Sequence, residues 1–176
     1  MDLPKEAYTH IFVSFAIFVI PDAVAALLAL LKPGGFIGVT TWTGLAWQPI
    51  LGRSIARMPD APYTPSWAEI EHKMFPGHDW SKKDYVAAHL SKAGVEKVQA
   101  VVERRTAMCG TPKVLMETLQ MPLNLVKTFW EEERRAQWEK QVNELMLEEC
   151  VTAAGGEDKE VKLEFEANVA WGWKSG

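Results

Sequence analysis

Cysteine is scarce in this chain of 176 residues: Cys109 and Cys150 are the only two, and they are not in CxxC spacing. Two isolated thiols exclude a disulfide framework and a zinc knuckle, and they fit a reducing compartment. A long hydrophobic run is missing as well. The apolar stretch IFVSFAIFVI (11–20) is about half of the ~20 residues that cross a bilayer, and it follows Asp2 and Glu6 rather than a basic segment. The chain is therefore expected to be cytoplasmic and to have no membrane partner. Positive charge is also not in excess. Nineteen Lys and Arg against 23 Asp and Glu give a net charge of −4, with the cations dispersed, which argues against a nucleic-acid partner. No internal repeat or low-complexity tract is present.

What is abundant is apolar residues, at 48% of the chain, enough for one sizeable core and hence one domain over 1–176. THIFVSF (9–15) is a near-continuous apolar run, as in a parallel strand covered on both faces. Pro21 and Asp22 then open the helical AVAALLALL, with Asp22 as N-cap, and KPGG (32–35) stops it. FIGVTTW (36–42) is the next strand. Strand, short helix and strand within about 30 residues make a right-handed βαβ unit with parallel strands. Gly34 and Gly35 precede a strand, whereas a phosphate-cradling loop follows one and opens a helix, so they are read as a structural turn.

Residues 43–58 predict a further helix, and 59–80 form a proline-rich, aromatic-rich insertion. Ser81 with Asp84 three positions on reads as a capping box for a helix over 82–93, ended by Gly94. A strand over 95–107 follows. Residues 112–130 read as amphipathic helices broken at Pro122, and 131–150 as a charged helix whose acidic start suits the dipole. Together 111–150 are expected to be lid helices. The alternation in EVKLEFEANVAWGW (160–173) predicts a terminal strand.

In doubly wound folds ligands sit beyond the carboxyl ends of the strands. Those ends carry Ser14, Phe15 and Phe18, then Thr41, Trp42, Thr43 and Trp47. The insertion adds Tyr63, Trp67, His72, Met74, Phe75, His78 and Trp80, and the later helices add Met108, Met116, Met121, Phe129 and Trp130. This is the composition of a pocket for a flat apolar metabolite, and equally of a core. Acid–base chemistry needs a group titrating near neutrality. His78 in GHDW is the best placed catalytic residue, with Asp79 to orient it. Arg53 and Arg57, four apart, read either as an anchor for a phenolate or carboxylate or as a solvated helix face. Tyr8, Thr41 and Thr43 are candidate donors to a carbonyl. His72 and Glu69 have helical i,i+3 spacing, but two ligands do not make a zinc site, so no metal is expected. His89 is assigned to packing or surface.

The segments 10–22 (HIFVSFAIFVIPD), 27–42 (LLALLKPGGFIGVTTW), 80–94 with its closing Ala93-Gly94, and the terminal strand come in an order that resembles the C-terminal half of a class I S-adenosylmethionine-dependent methyltransferase. The likeness is to the fungal small-molecule type. It implies an α/β, Rossmann-like mixed sheet of about four strands with flanking and lid helices, and it puts His10 near a strand start, away from the site. In that family the cofactor is held by segments preceding the part matched here, so the resemblance implies no cofactor site in this chain. It also implies a sheet order of 3-2-1-4-5-7-6. The first strand of this chain then lies at an edge, which a homodimer or another subunit would cover.

Two functions follow from this reading. One is a cofactor-independent cyclase or isomerase acting on a polyketide or aromatic secondary metabolite. The alternative is a non-catalytic pseudo-methyltransferase subunit, or a truncated product, partnering a full methyltransferase. A true methyltransferase binding its cofactor in a new way ranks third.

Overall fold

The computed structural model describes residues 3–20 and 22–176. Strand β1 (Tyr8–Ser14) leads through a 3-10 turn to helix α1 (Ala23–Leu30) and strand β2 (Leu31–Trp42). Helices α2 (Gln48–Ala56), α3 (Trp67–Met74) and α4 (Lys83–Lys92) precede strand β3 (Val95–Met108). Helices α5 (Pro112–Val126) and α6 (Glu132–Ala154) follow, and strand β4 (Lys162–Lys174) ends the chain. The four strands form one mixed sheet in the order β1-β2-β4-β3. β1 and β2 are parallel, as a βαβ unit requires, and β4 runs antiparallel to β2 from Phe36↔Trp173 to Trp42↔Ala167. None of the helices among the described residues is long and apolar enough to cross a membrane.

Several local expectations are corrected. β1 is not covered on both faces: Val13 alone is buried, because the strand lies at the sheet edge. β2 begins at Leu31 rather than Phe36, since Tyr8 pairs with Leu31 before the register shifts and resumes at His10↔Phe36. The Pro-Gly-Gly turn is thus absorbed as an irregularity within the strand. Gly34 has φ of +72°, and a Cβ on Gly35 would lie 2.8 Å from the Lys32 carbonyl oxygen, so both glycines serve the backbone.

Asp22 sits at the N-terminus of α1 with φ of +46°, and its side chain makes no capping bond. Pro21, expected to open that helix, lies outside the described residues, as does Asp2. Ser81 does not cap α4 either; its backbone N–H and hydroxyl each donate to the Glu71 carboxylate at 2.6 Å. Glu71 is only 5% exposed, and a buried carboxylate without donors would be far more costly than an uncapped surface helix. Pro122 does not break α5, which continues to Val126 because Leu115, Met116, Leu119, Leu123 and Val126 are all buried along it. α6 ends where Gly155 turns left-handed at φ of +75° and donates back to Val151 and Thr152.

The chain divides into two compact units. The first comprises residues 1–44, 71–104 and 166–176. Its core is built on one face of the sheet, where Val13, Ile37, Val39 and Ala170 pack with Val24 of α1 and Val86 and Leu90 of α4. The second comprises 45–70 and 105–165. Its core joins Leu51 and Ile55 of α2, Leu119 and Leu123 of α5, and Val142, Met146 and Cys150 of α6. Arg53 and Arg57 of α2 hold Glu149 of α6 from the rim of that core, Arg53 at 2.8 Å and Arg57 at 3.2 Å.

Candidate functional site

The carboxyl ends of β1 and β2 are stiffened by hydrogen bonds and stacking. Phe15 turns to φ of +51°, its N–H donates to the Thr40 hydroxyl at 3.1 Å, and its ring stacks on Trp42 at 3.6 Å between centroids. Just beyond, within the first unit, lies a cavity of about 390 Å³ whose lining includes Phe18, Met74, Phe75, His78, Trp80 and His89. Phe18 and Phe75 form its apolar wall, ring to ring at 4.5 Å.

Two imidazoles supply titratable groups to this cavity. His78 Nδ1 lies 2.6 Å from the Tyr85 hydroxyl, and the His78 ring stacks on Trp80 at 5.5 Å. His89 packs edge-on to Trp80 at 4.9 Å and stacks on Tyr85 at 5.7 Å. Burial, and then the charge of Asp79, push the Tyr85 phenol above its usual pKa, so it keeps its proton and can donate to Nδ1. In a neutral His78 the proton then sits on Nε2. Burial first, then the neighbouring His78 and Lys92, hold His89 below the ordinary imidazole value. His89 is therefore held in its neutral form at neutral pH, where it can accept a proton.

Asp79, expected to orient His78, instead pairs with Lys82 at 2.8 Å; Tyr85 takes the orienting place. Thr41 is 0% exposed, and its hydroxyl donates to the Trp80 carbonyl at 2.7 Å. Asn168 closes that network by donating to both groups at 3.1 Å. The Thr43 hydroxyl is spent on the Glu166 carbonyl at 2.9 Å. Both threonines hold the sheet together rather than pointing at a ligand. Phe18 does line the cavity, and Trp42 stands at the strand end beneath Phe15.

Most of the other candidates belong to the second unit, whereas His10 and His72 belong to the first. Trp47 and Met116 are buried in its core, with Trp67 and Phe129 packed against it. The Arg53 and Arg57 guanidiniums both pair with Glu149 while staying partly exposed on their helix. The Tyr63 hydroxyl donates to Glu69 at 2.6 Å, and Glu69 also accepts from Ser66 at 2.7 Å. Glu69 is thereby diverted from His72, which is exposed. Among the described residues no group of three or more His, Cys, Asp or Glu side chains is placed to hold a metal ion. His10 is exposed and sits against the Thr9 hydroxyl at 3.1 Å.

Tyr85 did not figure in the sequence reading, and His89, assigned there to packing or surface, does pack against Trp80 and Tyr85 while also lining the cavity. The signal was present: Tyr85 and His89 are four apart on α4 and so share a helix face, the face that meets the His78 loop.

No protein-family model matches the chain. It is 28% identical over 148 residues to the methyltransferase tpcH of Aspergillus fumigatus, covering 82% of this chain and 52% of that protein. It is 28% identical over 142 residues to the acetylaranotin bis-thiomethyltransferase of Aspergillus terreus, covering 80% and 47%. The chain thus spans about half the length of the curated relatives it matches. Among solved structures, a phosphoethanolamine N-methyltransferase 2 of Haemonchus contortus aligns with 99% of this chain and 35% of its own, at 13% identity and a TM-score of 0.43. The chain is methyltransferase-like in sequence over about half of each of these relatives. Its sheet order β1-β2-β4-β3 is the 4-5-7-6 part of the order the resemblance implies.

Proposed function

We propose that this chain binds a flat, largely apolar metabolite in the His78 cavity and isomerises or cyclises it by proton transfer, without taking up a methyl donor. The observation that carries this reading is the pairing of a desolvated His89 with a Tyr85-oriented His78 at a cavity with one aromatic wall, Phe18 against Phe75. A carbon acid next to a carbonyl would lose its proton to neutral His89, and the resulting enolate would accept a proton elsewhere from His78 Nε2. Proton exchange of both rings with solvent, His89 losing the proton it took and His78 regaining one, restores the site, so the product is an isomer with no net atoms gained or lost. Where the enolate attacks an unsaturated carbon of the same molecule, the same cycle closes a ring. Each acid–base group of this kind contributes a factor of about 10² to 10⁴, and holding a flexible substrate folded adds to it. The substrate class, a polyketide or related aromatic metabolite, is supported by the aromatic and methionine lining.

The test uses a simple enolisable probe, 1-tetralone in D₂O, with deuterium uptake at the α-carbon followed by NMR. The intact chain is expected to accelerate exchange well beyond an equal concentration of free imidazole. His89→Gln and His78→Gln are each expected to lower the rate at least tenfold while circular dichroism stays unchanged. Exchange no faster than free imidazole, or unaffected by either substitution, overturns the assignment.

A second reading is that the chain is a subunit partnering a fuller methyltransferase, favoured by its spanning about half of its curated relatives. On that reading, mixing it with a full-length relative produces a complex in light scattering and changes the relative's methyl-transfer rate. No complex at micromolar concentrations removes this reading.

A further inference from the structure

The helices of the first unit cover one face of its sheet. The strand residues buried with α1 and α4, such as Val13, Ile37, Val39 and Ala170, all alternate to that face. The opposite rows belong to neither core cluster. Register defines two of them: Phe12, Gly38 and Trp171 lie side by side across β1, β2 and β4, and so do His10, Phe36 and Trp173. Their rings form a mosaic, Phe36 standing 5.6 Å from Phe12 and 5.5 Å from Trp173. Phe12 is nevertheless 73% exposed, in the middle of a strand. Beside it opens an almost wholly apolar cavity of about 310 Å³ walled by Phe12, Phe36, Val169 and Trp171. Gly38 is its floor, where an added Cβ would come within 3.2 Å of both phenylalanine rings.

We propose that this face is a two-fold interface between two copies of the chain, packed sheet on sheet, with Phe12 of each copy seated in the Gly38 cavity of the other. A two-fold contact requires projection and recess on one and the same surface, and here they adjoin. Aromatic sheet faces pack at ~10 Å in this manner in sandwiches. With ~4.8 Å between strands and ~3.3 Å per residue, the patch over β1, β2 and β4 has a flat area of roughly 330 Å² per copy, and the projecting Phe12, Phe36, Trp171 and Trp173 rings enlarge the surface buried in both copies toward the ~1,000 Å² of a specific interface. Charge permits the approach. Each copy carries a net −4, yet the paired rows Phe12-Gly38-Trp171, His10-Phe36-Trp173 and Ser14-Thr40-Val169 contain no carboxylate. A small planar ligand would fill the cavity but leave the Phe36 and Trp173 row in water, so a second copy is the better occupant. The contact moves the expected homodimer from the β1 edge to the adjoining face.

Sedimentation velocity of the full chain across a hundredfold concentration range tests this. The wild type is expected to sediment as a dimer, and Phe12→Asp, a change at an exposed position, as a monomer with an unchanged circular dichroism spectrum. Dilution of the wild type is expected to shift tryptophan emission to the red, a shift reduced in a Trp171→Phe, Trp173→Phe variant. A wild type that is monomeric throughout the range overturns the proposal. So does a dimer that survives Phe12→Asp, which would place the contact elsewhere, or a ladder of larger species, which would mark a non-closing contact.

Discussion

Thr41 shows how a residue that reads as a ligand donor becomes part of the scaffold. Its hydroxyl lies between the Trp80 carbonyl and the Asn168 amide, in a place where an unmet polar group is costly. Thr41→Val keeps the shape and removes one hydrogen bond, so it is expected to lower stability by about 1 kcal/mol in urea unfolding and to leave deuterium exchange of the probe unchanged. His89 behaves differently because its proton equilibrium is coupled to folding. Its pKa is lowered in the folded state, so on acidification the unfolded chain takes up the proton first. Stability from this group is therefore undiminished above the ordinary imidazole value of ~6.5 and falls as pH drops through that value toward the depressed one. Melting temperatures measured from about pH 5 to pH 8 are expected to show that fall in the wild type and a shallower one in His89→Gln.

At the scale of elements, close backbone approach and burial decide the outcome. Gly172 of β4 faces β3 so closely that a Cβ would meet Val95 Cγ1 at 2.5 Å and the Glu96 carbonyl oxygen at 2.7 Å. Gly172→Ala is expected to cost about 1–3 kcal/mol or more, read as a lowered urea midpoint, because a backbone oxygen cannot move aside as a flexible side chain can. On α6, Cys150 is 0% exposed, and burial pushes its thiol up to about 11. Alkylation at neutral pH is expected to modify Cys109 slowly and Cys150 only as the protein unfolds, so mass spectrometry over a urea series reports the opening of that helix's core. Cys109 is only partly buried, though burial raises its pKa as well.

The whole molecule carries a mixed sheet of the kind the resemblance implies, and a methyl donor is the ligand that would distinguish the readings of its function. Calorimetric titration of the full chain with S-adenosylmethionine is expected to give no binding heat on the proposed donor-independent reading. Clear binding would restore methyl transfer as the activity. Either result bears on the His78 cavity as a whole, since the same walls of Phe18 and Phe75 would serve a methyl acceptor.

Local pattern alone was enough to place the four strands, the βαβ unit and the long charged helix. Each of these depends on spacing along the chain. The resemblance supplied the sheet order and the edge position of β1. Only the tertiary structure decided which polar and aromatic residues face a cavity. Thr41 and Trp47 were consumed by packing, Ser81 was captured by a buried Glu71, and Asp79 was diverted to Lys82. Tyr85 and His89 were brought to His78 by the docking of α4 on the sheet. The difference is physical: a strand's period is written in consecutive side chains, whereas a hydrogen bond between distant residues goes to whichever donor and acceptor the packed core leaves within reach.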